Sequence, residues 1–426
     1  MRIVVSGLAA TYPLGGVFWD YAQYLLGFRR LGHDVLYVED TGQWCYDPTQ
    51  GTFVESGKKN ADYLQLELGK LSSGSPPCWF MRDAAGATYG MDWSRAAAFC
   101  RSADLFLNVS ASCTPRDEYL SAEITAFIDS DPMYTQANVP AYLAGSCDEA
   151  ARARIDSLRQ HHDVHFTFAE KIGDPDCCVP TELFRWKTTR QPIDTALLRT
   201  CRSPASERRR VLTTVASWET NQGGPNVGGV QYRGKNSEFM RFIDLPQRSS
   251  LPLEVALSGK APLAQMADHG WKVVDPLPRT RRPAEYLNYL AGSLGEFSVA
   301  KHAYVASRSG WFSCRSACYL ALGVPVIVQD TGFSELFPTG EGLFAFSTED
   351  EALAAIDALA AEPDRHFSAA AEIAQEYFDG SKVLTALLND AMSSARAEPP
   401  IDIRQPEADS FASAAAPPGG PAGASH

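Results

Sequence analysis

Between Ser309 and Glu335 the sequence SGWFSCRSACYLALGVPVIVQDTGFSE carries hydroxyls, an arginine and two carboxylates at the ends of two apolar segments. The apolar spacing predicts a helix from about Ser313, stopped at Gly323 and followed by a strand over 325–328. Ser309, Gly310 and Ser313 precede that helix, where unpaired N–H groups and the positive end of the helix dipole favour a phosphate. Arg315 in the first turn adds a bidentate contact in this reading; in the alternative, Ser313 only caps the helix and Arg315 is solvated. Trp311 either stacks on a ligand ring or packs beneath the loop. Asp330, Thr331, Gly332, Phe333 and Glu335 form a second loop, with Asp330 or Glu335 binding hydroxyls or serving the turn.

Three further groups bear on the same chemistry. Ser217 follows a strand over 211–215, and QYRGKNSEF presents Arg233 and Lys235, two cations suited to a diphosphate. Gly15 and Gly16 allow backbone to approach a ligand ahead of the first helix, which carries Asp20. Asp20 and Asp131 are the carboxylates expected to act as general base, with Asp129 beside them. The histidines His161, His162 and His165 border a strand without ligand partners at metal-binding spacing, and are read as structural. Asp129-Ser130-Asp131 is a D-x-D sequence, but no metal and no cofactor is expected.

These residues need a scaffold. A strand over 2–6, a glycine loop over 7–16, a helix over 17–31 and a strand over 35–38 predict a β-α-β opening. Strands over 105–109, 126–128 and 165–168 continue a parallel sheet. After the irregular stretch 188–206, strands over 211–215, 253–257, 271–274, 303–306, 325–328 and 343–346 alternate with helices. The expectation is an α/β chain of two Rossmann-like, doubly wound domains, 1–200 and 207–396, facing each other across a cleft, with a disordered tail at 397–426.

The 426 residues suit two domains, and 45% hydrophobic content is that of a globular chain. A net charge of -13 and a pI near 5.1 argue against a broad basic face, so no nucleic-acid partner is expected. The start MRIVVSGLAATYPLGG lacks the pattern of a signal peptide, and no apolar stretch reaches bilayer length, so the location expected is cytoplasmic, with peripheral membrane contact left open. The ten cysteines lack C-x-x-C spacing and are expected to be reduced.

The GG loop with RRLGHDVLYVED, the join ALGVPVIVQD, the loop DTGFSEL and the closing STEDEALAAIDAL together resemble the GT-B glycosyltransferases (families 1 and 4) over most of residues 1–395. The resemblance implies a nucleotide-sugar donor held by the second domain and an acceptor of unknown kind (small molecule, glycan or protein) at the first. Gly15 and Gly16 then face the acceptor, while Ser217, Arg233, Lys235 and the two loops face the donor. Retaining members carry two glutamates where this chain has Gly310 and Cys318, and Ser309 stands where inverting members carry a histidine. A non-catalytic nucleotide-sugar-binding scaffold and a sugar-nucleotide epimerase are the alternative readings.

Overall fold

The computed structural model describes residues 1–71, 76–218 and 224–397. Its first half contains the strands β1 (Arg2–Ser6), β2 (Asp34–Asp40), β3 (Cys45–Asp47), β4 (Thr52–Val54), β5 (Cys78–Arg82), β6 (Thr88–Gly90), β7 (Leu105–Val109), β8 (Ile124–Asp129), β9 (Val164–Thr167) and β10 (Trp186–Thr188). Eight of them form one sheet in the order 10-9-8-7-1-2-5-6, parallel throughout except where β6 pairs antiparallel with β5. The central strands are apolar on both faces, as a sheet covered by helices on both sides requires: Ile3, Val4 and Val5 are each fully buried. β3 and β4 form a separate antiparallel hairpin.

The second half contains β11 (Arg209–Ser217), β12 (Asn226–Val227), β13 (Val230–Gln231), β14 (Leu253–Ser258), β15 (Lys272–Val273), β16 (Ser293–Ser298), β17 (Val326–Gln329) and β18 (Leu343–Phe346). Six of these form an all-parallel sheet in the order 15-14-11-16-17-18. The helices that position or brace the space between the two sheets are α1 (Gly15–Arg30), α2 (Pro283–Ala291), α3 (His302–Ser307), α4 (Cys314–Ala321) and α5 (Gly380–Ala397). Both sheets carry their loops at the carboxyl ends of parallel strands, the ligand-binding edge of doubly wound folds.

One expected strand is a helix. Residues 303–306 lie in α3, and the strand that pairs with β11 and β17 is β16, SLGEFS. A glutamate inside a six-residue segment disguises it, yet Glu296 is fully buried. The expected tail lies, beyond Ala397, outside the described residues. All ten cysteines are free. Among the described residues, no helix is long and apolar enough to cross a membrane.

The two sheets are tied together at several points. α5 follows the second sheet in sequence but packs on α1, β8 and β9 of the first. Gly27 on α1 makes room for it, since a Cβ there would lie 2.4 Å from Leu384 Cδ1. Ile193 and Asp379 form a parallel bridge, and Trp19 on α1 donates its indole N–H to the Pro283 carbonyl at 3.0 Å. Lys171, almost fully buried, lies between Asp176 of the first half and Glu335 of the second. Arg308 completes that cluster, pairing with the same two carboxylates.

Candidate active site between the two sheets

The loop after β1 is fixed by a buried carboxylate. Glu39 on β2 accepts from the Ala10 and Thr11 amides at 2.6 and 2.8 Å, the Thr11 hydroxyl at 2.8 Å and the Tyr37 hydroxyl at 2.7 Å. Burial nevertheless pushes its carboxyl up to about 7. α1 starts immediately beyond this loop and carries Val17, Asp20 and Tyr21 along one face, the i, i+3 and i+4 spacing that groups side chains on a helix. These residues form part of the first domain's wall of a cleft of about 930 Å³. The second domain supplies the ends of β11 and β14, Lys235, Lys301, and the start of α4 from Ser313 to Arg315.

Gly15 and Gly16 do different work from each other. A Cβ on Gly15 would lie 2.6 Å from the Arg282 carbonyl oxygen and 2.7 Å from Tyr286 Cβ, so this glycine seats α1 against α2 of the other domain. Gly16 lines the cleft, and a Cβ there would be 3.4 Å from the Tyr286 ring. Gly15→Ala is expected to cost about 1–3 kcal/mol, because backbone cannot yield as a flexible side chain can. Gly16→Ala is expected to be close to neutral. Thermal unfolding of the two variants checks the contrast.

Asp20 and Asp131 both reach the cleft, but only Asp20 stands open. Asp131 is held by Lys301 at 2.7 and 2.8 Å and by the Tyr304 hydroxyl, so its lone pairs are already engaged. Asp129 lies behind it, bonded by Thr135, Gln136 and Thr167 at 2.7–2.8 Å, where it pins the loop after β8. The D-x-D sequence is therefore structural, and among the described residues no cluster of three or more His, Cys, Asp or Glu could hold a metal ion. The Asp20 carboxylate has no hydrogen-bond partner among the described residues. Burial pushes it up to about 7, with the Arg315 guanidinium opposing the rise.

Arg315 is anchored rather than solvated. Its Nε donates to Glu296 Oε1 at 2.6 Å, Nη1 to the Val215 carbonyl at 2.8 Å and Nη2 to Ser298 Oγ at 2.5 Å. Guanidinium has five N–H groups, so two remain for a ligand. Ser313 occupies the N-cap position of α4 without a side-chain capping bond, leaving its hydroxyl and the first turn at the cleft. Lys235 faces the same space without a hydrogen-bond or ion-pair partner among the described residues. Burial, then the neighbouring Arg315 and Lys301 charges, hold its ammonium well below the usual lysine range. Ser217 also lines the cleft, 3.1 Å from Ser258 Oγ.

Several sequence expectations do not survive as ligand contacts. Arg233 is exposed and off the cleft, where its backbone N–H donates to His302 Nδ1 at 3.1 Å. Ser309 is fully buried, its carbonyl accepting from the Lys171 amide at 3.0 Å. Gly310, at φ +75°, passes so close to Lys171 that a Cβ would lie 2.9 Å from it. Trp311 does wall the cleft, stacked on Tyr304 at 4.2 Å and donating to the Ser130 carbonyl at 3.1 Å.

The second loop turns inward. Asp330 accepts from the Gly332 amide at 2.9 Å and the Ser334 hydroxyl at 2.8 Å, which makes it a turn cap. Thr331 donates to the Trp311 carbonyl at 2.6 Å, Gly332 supplies the φ of +99° the turn needs, and Phe333 packs in an aromatic cluster with Phe312 and Phe337. Glu335 is committed to Lys171 and Arg308. None of these five lines the main cleft, although Thr331 and Phe333 border a small pocket beside it together with Trp311, Ser313 and Arg315. Conversely, Glu296, Lys301, Tyr286 and Tyr304 were not singled out from sequence, although each shapes the cleft or holds a residue that does.

A family profile described as Glycosyl transferase-like matches residues 240–384. No curated protein sequence matches the chain. Among solved structures, an alpha-glucosyltransferase in complex with UDP and a 13-mer DNA containing an HMU base has a TM-score of 0.57 at 11% identity, covering 92% of this chain and 99% of that one. The same kind of enzyme with UDP and a mismatched 13-mer DNA gives a TM-score of 0.56 at 11% identity, covering 92% and 100%. Anabaena Alr3699/HepE in complex with UDP-glucose gives 0.51 at 12% identity, covering 92% and 100%. The expectation that excluded a nucleic-acid partner is overturned here: this fold, over nearly the whole chain, occurs in complexes with DNA, and an acidic net charge does not rule out such a partner. The two sheets, the cleft between them and the matched segment of the second half agree: the chain has the GT-B glycosyltransferase fold, and its residues 240–384 match a glycosyl transferase-like family.

Proposed function

We propose that the protein is a cytoplasmic hexosyltransferase that takes its sugar from a nucleoside-diphosphate hexose, UDP-hexose first, and passes it to an acceptor hydroxyl at the first domain. The observation that carries this reading is Lys235, an amine at the cleft beside Arg315 and Lys301 that has no hydrogen-bond or ion-pair partner among the described residues. Its charged form is costly until an anion arrives, and a diphosphate supplies two charges at that spot. Lys235 and Arg315 would hold the leaving diphosphate and offset the charge that develops on it, with Ser313 and the first turn of α4 alongside. Asp20, on the facing wall with a carboxyl near neutrality, suits removal of the acceptor proton. UDP and UDP-glucose in the similar structures support the choice of donor.

No step here calls on a metal or a cofactor; the residues named bind, orient and move one proton. Holding both substrates in one cleft converts a bimolecular reaction into an oriented one, the main source of rate for such a transfer. A thermal-shift panel of UDP-, GDP-, TDP- and ADP-glucose tests the reading. At least one is expected to raise the melting temperature, and the rise is expected to disappear in Lys235→Met. A flat response to all four would refute it.

A further inference from the structure

The first domain's outer wall of the cleft is aromatic. Tyr12 follows β1, while Tyr46 and Phe53 stand opposite each other on the β3–β4 hairpin, where they are direct cross-strand partners. Their ring centroids lie 5.9 Å (Tyr12–Phe53), 5.5 Å (Tyr46–Phe53) and 6.4 Å (Tyr12–Tyr46) apart. All three line the cleft, with Pro48 and, on the way to Asp20, Leu14 and Val17. Phe53 remains 47% exposed at the cleft, which leaves its ring open to a ligand.

This wall carries no charge toward the cleft. Asp47, the hairpin's one carboxylate, is buried, and it is taken by Thr49, Gln50 and Lys59 at 2.6, 3.0 and 3.1 Å. Burial, with the Cys45 thiol adding to it, raises the Tyr12 phenol and keeps it neutral. Among the described residues, the polar groups on this wall are the two phenols. A sugar ring would offer these rings only its C–H face and would need partners elsewhere for the hydroxyls around its rim, which this wall does not supply. A flat apolar ring has no such need and gains from stacking.

From this wall we infer that the acceptor carries its hydroxyl on, or one carbon away from, an uncharged planar ring that lies against Tyr12, Tyr46 and Phe53. The ring's hydroxyl then points along α1 toward Asp20, past Val17. Phe53 is a specificity-determining residue in this arrangement, and it touches neither the donor cations nor the proposed base. The inference rests on the glycosyltransferase reading for its orientation; the aromatic site itself does not depend on it. Two sources present this chemistry: a free small molecule, or a hydroxymethylated base within a nucleic acid.

The test is titration calorimetry on the full chain with 2-naphthalenemethanol, methyl β-D-glucopyranoside and a DNA duplex bearing one 5-hydroxymethyl pyrimidine, each with and without saturating UDP. Wild type is expected to bind 2-naphthalenemethanol and to bind the glucoside at least about tenfold more weakly. Phe53→Ala is expected to weaken the naphthyl compound about fivefold, the scale of one lost aromatic contact, while UDP affinity and melting temperature stay unchanged. Duplex binding that also weakens in Phe53→Ala, and that exceeds binding of the unmodified duplex, would assign the ring to a nucleobase and support the inference. It is overturned if the naphthyl compound fails to bind, if the glucoside binds as well, or if Phe53→Ala leaves every affinity intact. Failure of UDP to bind, with naphthyl binding still dependent on Phe53, would remove the donor assignment and leave the aromatic site standing.

Discussion

Arg315→Ala is expected to abolish binding of the nucleoside diphosphate and to destabilise the fold by about 3–5 kcal/mol, because it strands a buried carboxylate. Glu296 is fully buried on β16, and its Oε2 already lacks a partner. Its other oxygen depends on Arg315 at 2.6 Å. The same guanidinium ties Val215 at the end of β11 to Ser298 at the end of β16, so one side chain braces two strand ends of the donor wall. Loss of stability alone would not establish a ligand role. The double variant Arg315→Ala with Glu296→Gln removes the stranded charge and is expected to recover most of the lost stability in chemical denaturation, but no nucleotide affinity. Recovery of affinity along with stability would make Arg315 a purely structural residue.

Asp20→Asn is expected to lower transfer by about 10²–10⁴-fold, with donor affinity unchanged, since it removes the proton acceptor and keeps the shape. The wild-type profile of kcat/KM should rise with pH through about 7 and then level, because the base works only when ionised and burial holds its carboxyl near that value. That rising limb should vanish in the variant. Stability runs the other way. The unfolded chain releases this proton near pH 3.8 and the folded chain near 7, so the folded state holds more protons across that window and loses stability as pH rises through it. Asp20→Asn should therefore melt above wild type at pH 8 and show no ionisation-dependent gain below pH 4. An unchanged rate in Asp20→Asn would move the base elsewhere.

The scaffold was legible where local signals agreed with tertiary structure. The apolar spacing of α4, its start at Ser313 and its stop at Gly323, at φ +67°, all follow from the sequence. β16 escaped notice because its buried glutamate is tolerable only through a partner 19 positions later, an interaction that no local pattern carries. The Asp330 loop stays ambiguous in sequence because turn caps and sugar-binding groups use the same side chains. Asp131 looked like a free base because Lys301, which neutralises it, is 170 residues away. The β3–β4 hairpin passed unread for another reason: two three-residue strands hold too few positions to show alternation. Asp20 and Lys235 were legible as candidates, and what raised them above the others is the absence of a partner, a property of the fold alone.

On the proposed reading a diphosphate holds Lys235 in its charged form and takes the free N–H groups of Arg315 in the cleft. It is tested most directly by calorimetric titration of the best-binding nucleoside diphosphate against its parent nucleoside, in wild type and in Lys235→Met. Wild type should bind the diphosphate at least about tenfold more tightly than the nucleoside, and Lys235→Met should lose most of that ratio while binding the nucleoside unchanged. An equal affinity for diphosphate and nucleoside in wild type, or a ratio that survives Lys235→Met, would contradict the account.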